Sequence, residues 1–192
     1  RPVLSMTYAP HSPPVHGMFL GTAAFYRSIQ FSREKVHSLG VVRSAATGLA
    51  LGLILLRAIV GKAGDDRLIQ GERIAIELDG QGGEEERDYF IVLVTTLEHL
   101  TLGLMPFWGS GDGMCRYTSI GFPPQRLHRA LLPLLRGRPR PWMAENGYLS
   151  GRAGEIALRM SCPIVFDGQI YTPMPDFPVI LRADHKAVFL RC

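Results

Sequence analysis

The stretch Cys162-Pro163-Ile164-Val165-Phe166-Asp167-Gly168-Gln169-Ile170-Tyr171 constrains the fold more than any other. An apolar run enters an Asp-Gly pair and leaves as a second apolar run. Asp-Gly suits the two-residue turn that joins antiparallel strands, so the stretch predicts a β-hairpin. Its tip would expose Asp167, Gly168 and Gln169, and exposed turns of sheet proteins often carry functional groups. A second Asp-Gly pair, Asp112-Gly113, lies in Pro106-Phe107-Trp108-Gly109-Ser110-Gly111-Asp112-Gly113-Met114 and is read as a second turn.

Period-two alternation recurs elsewhere. Arg73-Ile74-Ala75-Ile76-Glu77-Leu78 alternates, residues 79–83 turn through Asp-Gly-Gln-Gly-Gly, and Tyr89 to Val94 runs back, which predicts another hairpin. Its glycine-rich tip invites comparison with a phosphate cradle. A Walker loop needs Lys-Ser/Thr after the last glycine, whereas here Glu84, Glu85 and Glu86 follow and would repel phosphate. Further strands are expected at Val3–Tyr8, Met114–Phe122, Glu155–Ser161, Phe177–Ala183 and Lys186–Leu190.

Three helices complete the prediction. Thr22 reads as the N-cap of a helix that Gly40 ends. Val41 to Ala63 is the most apolar segment, but Arg43 and Arg57 bracket only 13 uncharged residues. That is short of the roughly 20 a membrane span needs, so a buried helix is expected. From Gln125 to Arg136, Leu127, Ala130, Leu131, Leu134 and Leu135 form one face, and Arg126, His128, Arg129 and Arg136 cover the rest. The class is therefore α+β and β-rich, with antiparallel sheet predominating and two or three helices.

With 192 residues and 46% apolar composition the chain can bury a proper core. A net charge of +4 is mild, and no basic-aromatic interleaving on strands points to nucleic acid. Arg136, Arg138 and Arg140 crowd a Pro/Gly segment; they can complement a helix C-terminus or rest on anionic lipid. Cys115, Cys162 and Cys192 are odd in number and lack metal spacing, which suits reduced thiols in a cytosolic protein. His11 and His16 flank a proline-rich loop without an acidic or cysteine partner and read as surface residues. The chain starts Arg1-Pro2-Val3, with neither an initiator methionine nor a signal-peptide pattern, as expected for a piece of a longer polypeptide.

The order of these motifs resembles the C-terminal domain of the diacylglycerol kinase/sphingosine kinase/YegS-like lipid kinase family. The resemblance covers most of the chain and is clearest from Tyr89 to Cys192. Asp112-Gly113-Met114 is similar to the family's Asp-Gly-Leu turn, and Phe166-Asp167-Gly168-Gln169 to its Asp-Gly-Glu turn. The chain holds no Gly-Gly-Asp-Gly-Thr, the nucleotide motif of the family's N-terminal domain. The resemblance implies a single C-terminal domain over 1–192, an antiparallel β-sandwich with two or three helices like the second domain of that family, with the nucleotide-binding domain outside it. The related NAD kinase group shares a β-rich C-terminal domain, but its own site motifs are not apparent here.

The resemblance implies an enzyme that uses ATP and Mg²⁺ to phosphorylate a lipid hydroxyl, with the ATP site mostly outside this chain. It implies a lipid partner such as diacylglycerol, a cytoplasmic protein peripheral at the inner membrane face, and is compatible with a homodimer. Asp167 and Gln169 become the candidate catalytic residues. Asp112, through its carboxylate, and Met114, through its carbonyl, become the candidates for a weak structural Mg²⁺. Two departures stand out. Gln169 replaces the family's glutamate, and an amide can hydrogen-bond but cannot act as a base. Gly109 stands where many members carry another acid. The competing expectation is a non-catalytic β-sandwich that binds a lipid or other amphiphile.

Overall fold

The computed structural model describes residues 1–36, 70–81, 86–100 and 103–186. The apolar helix expected at 41–63 and the acidic tip at 84–85 lie outside them, as does the closing strand beyond residue 186.

Eleven antiparallel strands are described: β1 (Pro2–Thr7), β2 (Val15–Gly17), β3 (Phe19–Ala23), β4 (Glu72–Leu78), β5 (Arg87–Thr95), β6 (Cys115–Gly121), β7 (Tyr148–Ala153), β8 (Glu155–Met160), β9 (Ile164–Phe166), β10 (Gln169–Tyr171) and β11 (Val179–Lys186). Strand β5 is the branch point. β6 pairs along one edge from Tyr89 to Thr95. On the other edge β3 takes Ile91 to Thr95, and β4 takes Arg87 to Tyr89. One wing is therefore β7-β6-β5-β3-β9-β10, and the other is β4-β8-β11-β1-β2. The expected hairpin of β4 and β5 is thus open: β4 leaves β5 after Ile74 and pairs with β8 from Ile74 to Leu78.

The wings face each other across one apolar core. Leu20, Val92, Val94, Ile164 and Phe166 come from the first wing, and Leu4, Met6, Ile156, Leu158, Val179 and Leu181 from the second. Each such fully buried side chain contributes about 1.5–3 kcal/mol. The outer face of the first wing is buried too. Helix α1 (Ala24–Val36), helix α2 (Leu127–Leu135) and helix α3 (Pro141–Glu145) lie at a second core that holds Phe25, Phe90, Leu93, Leu127, Ala130, Leu134, Met143, Tyr148 and Val165. A strand covered on both faces loses its alternation, which is why Phe90 to Thr95 is buried throughout.

Three readings of the sequence change. Thr22 is not a helix N-cap: it lies within β3, and its hydroxyl donates to the Pro163 carbonyl at 2.9 Å. The helix begins two residues later, after Ala23 takes a left-handed φ of 59°. The arginine-rich stretch after α2 is not all linker, because Pro141 starts α3 at the position where a missing N–H costs nothing. Strand β7 has no clean alternation and pairs with β6 along its whole length.

Candidate functional site

Two of the crossings between the wings, from β2 to β3 and from β7 to β8, are each held by an Asp-Gly turn. Between β2 and β3, the Asp167 carboxylate accepts the backbone N–H of Met18 at 2.9 Å through Oδ2 and that of Phe19 at 2.9 Å through Oδ1. The Asp167 N–H donates back to the Phe19 carbonyl at 3.0 Å. Between β7 and β8, Asp79 Oδ1 accepts the N–H of Gly154 at 2.7 Å and of Glu155 at 2.8 Å. The Asp79 N–H donates back to the Glu155 carbonyl at 3.0 Å.

The backbone of both turns explains the dipeptide. Asp167 and Gly168 have φ of 45° and 86°, and Asp79 and Gly80 have 53° and 67°. Aspartate tolerates the left-handed region better than most residues, and glycine enters it freely. Gly17 completes the first crossing by close approach, since a Cβ there would lie 2.6 Å from Asp167 Oδ2.

Gln169 is exposed at the start of β10 and pairs with Phe166 across the turn. Its Oε1 accepts the Tyr171 hydroxyl at 2.8 Å, which leaves the amide NH₂ to donate. The Tyr171 ring in turn packs edge-on against Tyr8 at 5.1 Å and against Phe166 at 6.3 Å. Asp167 and Gln169 are thus neighbours with different employment. The carboxylate is engaged by backbone donors; the amide faces outward.

The Asp112 region is built differently. Residues 108–113 run extended beside β7, with Ser110 accepting the Arg152 N–H at 3.3 Å and Ser150 Oγ accepting the Trp108 N–H at 3.1 Å. Glycines at every second position allow that approach. A Cβ on Gly109 would meet the Ser150 carbonyl oxygen at 2.0 Å, and one on Gly113 the Ala153 carbonyl carbon at 1.8 Å. Asp112-Gly113 is therefore not a hairpin turn but part of this lead into β6. Asp112 and Met114 are both exposed.

Register places both regions at one end of the first wing. Phe19 lies opposite Thr95 and Thr95 opposite Arg116, so the Asp167 turn and the start of β6 share that end. Three strand spacings separate β9 from β6, or about 14 Å. Asp112 and Met114 are not brought to Gln169. They supply one carboxylate and one carbonyl, and Gly109 leaves no room for a second acid. Among the described residues no group of three or more His, Cys, Asp or Glu could hold a metal. This donor set does not fit Mg²⁺, which asks for near-octahedral oxygen ligation.

Sequence reasoning missed two residues here. Thr96, at the same end as β5 finishes, has a buried hydroxyl without a hydrogen-bond partner among the described residues. Asp79 reads from the sequence as part of a glycine-rich hairpin tip, although Leu78-Asp79-Gly80-Gln81 repeats the pattern of Phe166-Asp167-Gly168-Gln169 and is a usable signal. The His16 ring lies tilted against that of His185 at 4.9 Å, and Asp184 bonds His185 Nδ1 at 2.7 Å, which holds the Asp184 carboxyl below its usual range. Burial pushes the Cys115 thiol up to about 12, with Asp79 and Asp184 adding to it. Burial also raises Cys162, partly offset by its hydrogen bond with Thr22. Neither thiol is a ready nucleophile. No described helix is long and apolar enough to cross a membrane.

No family model matches the chain, and no curated protein does. Solved structures do. A candidate diacylglycerol kinase from Bacillus anthracis str. Sterne superposes with a TM-score of 0.55 at 14% identity over 95% of this chain and 53% of that one. A second such candidate from the same organism gives 0.53 at 16% identity over 95% and 54%. A structure named as a diacylglycerol kinase, also from that organism, gives 0.50 at 14% identity over 95% and 50%. The chain spans about half the length of these proteins, and at this identity the likeness is one of fold. The chain has the fold of about half of a diacylglycerol-kinase-like structure.

Proposed function

We propose that this chain is the C-terminal, lipid-facing domain of an ATP-dependent lipid kinase of the diacylglycerol kinase type. A nucleotide-binding domain outside the chain would supply ATP and Mg²⁺, and the acceptor would be a lipid hydroxyl such as that of diacylglycerol. The observation that carries this reading is the superposition of 95% of the chain on half of three such structures.

The residues divide the work as follows. Asp167 is a positioning residue, its carboxylate held by Met18 and Phe19, and it fixes the turn that presents Gln169. Gln169 then offers amide donors to a phosphate or hydroxyl oxygen. Phosphoryl transfer is mostly positioning and charge neutralisation, so donors of this kind can contribute without a base in this domain. No step passes through a metal at Asp112.

A second reading, a non-catalytic module that binds a lipid or other amphiphile, draws on the neutral amide at Gln169. One experiment separates them: transfer of labelled phosphate from ATP to diacylglycerol in vesicles by the full-length protein. Labelled phosphatidic acid is expected with the nucleotide domain attached and none from the 192 residues alone. Absence of transfer from the full-length protein would leave the binding module; transfer by this chain alone would overturn the division of labour.

A further inference from the structure

Helix α2 is cationic on the side that the core does not use, and we propose that this side docks on an anionic lipid bilayer. At ~100° per residue, the buried Leu127, Ala130 and Leu134 share one arc of the helix. His128, Leu132, Arg136 and Arg129 fall within the opposite arc, and all four are exposed. Leu132 is 56% exposed in the middle of that arc. Beyond the helix, Arg138 and Arg140 are also exposed, and α3 follows with Trp142 half-buried at its start. Arg126 lies over the Trp142 ring, 6.0 Å from its centroid.

The charge is local. Residues 113–144 contain six arginines and no acidic residue, while the whole chain carries only +4, so the remainder is net negative. None of Arg129, Arg136, Arg138 and Arg140 is ion-paired with a described carboxylate. The helix dipole accounts for Arg136 at the C-cap but not for Arg129 in mid-helix or for the two beyond it. An exposed leucine among arginines, next to an indole, is the composition of a helix that lies in a bilayer interface: the apolar group enters the headgroup region and the guanidinium groups meet lipid phosphates. Nucleic acid would attract the same arginines but offers Leu132 no apolar partner.

The choice of a bilayer as partner rests on the lipid-kinase reading, because a lipid acceptor resides there. Vesicle binding measured without ATP fails or succeeds separately from phosphate transfer. The 192-residue chain is mixed with vesicles of phosphatidylcholine alone or of phosphatidylcholine with phosphatidylglycerol, and sedimented. Binding is expected to the anionic vesicles alone and to fall with salt. Arg129→Gln and Arg136→Gln should each weaken it about 5-fold, and together about 25-fold. Arg138→Gln with Arg140→Gln, outside α2, should do the same without touching the stability of α2. Leu132→Asp should weaken vesicle binding and leave any binding of a single-stranded oligonucleotide unchanged. Equal binding to neutral vesicles, no binding to either, or wild-type binding by the arginine variants would overturn the proposal. So would tighter binding of the oligonucleotide than of anionic vesicles.

Discussion

The Asp79 and Asp167 turns are two copies of one device, and Asp112 shows what the same dipeptide does without it. In both copies an apolar residue precedes Asp-Gly-Gln, both central residues take positive φ, and the carboxylate accepts two successive backbone N–H groups on a neighbouring segment. Each copy holds one crossing between the wings. Asp112 makes no such contacts with the described residues, and its surroundings are dictated by glycines that let residues 108–113 lie against β7. Asp-Gly in this fold reports on wing-to-wing anchoring, and chemistry has to be sought one residue later, at Gln169, whose amide NH₂ is exposed and not engaged by the turn.

Crowding the approach of residues 108–113 to β7 has the largest expected effect. Gly113→Ala and Gly109→Ala place a methyl where backbone already lies, and each should cost about 3–5 kcal/mol in urea denaturation. Gly109→Asp should fare no better and should not create a metal site, so added Mg²⁺ should leave its melting temperature unchanged.

Removing a clamp ranks next. Asp167→Ala and Asp79→Ala each strip two backbone donors of a charged acceptor and should each lose about 2–3 kcal/mol. The asparagine variants keep an amide oxygen and the left-handed preference, and should lose less. The two sites share no contacts, so the double variant should lose the sum of the singles.

A smaller effect follows from the thiols. The folded pKa of Cys115 lies near 12 against an ordinary value of 9.0, so the folded chain holds a proton that the unfolded chain releases. Its stabilisation is complete below about pH 9 and is lost as pH rises toward 12. Thermal melts should therefore decline above pH 9, and Cys115→Ala should flatten that decline. The smallest effect is expected at Asp112→Ala, within about 0.5 kcal/mol of wild type.

The sequence made the Asp167 hairpin legible because Asp-Gly between apolar runs has one common backbone solution. What it hid was the other half of the clamp: Met18 and Phe19 lie 149 and 148 positions away and contribute only main-chain N–H groups, which no side-chain pattern reveals. The same blindness affected Thr22. Its hydroxyl suits an N-cap locally, but pairing of β3 with both β5 and β9 commits it to a strand. Strand β7 was missed because Tyr148-Leu149-Ser150-Gly151-Arg152-Ala153 carries polar and small residues where its neighbours sit close. The amphipathic pattern of α2 was legible, because its arc repeats at the helical period and nothing distant overrides it.

The direct test of the central claim is a urea denaturation series on wild type, Asp79→Ala, Asp167→Ala and Asp112→Ala at neutral pH. Asp79→Ala and Asp167→Ala should each lose about 2–3 kcal/mol, and Asp112→Ala should be indistinguishable from wild type. Comparable stability of all three, or a loss at Asp112 matching that at Asp167, would contradict it.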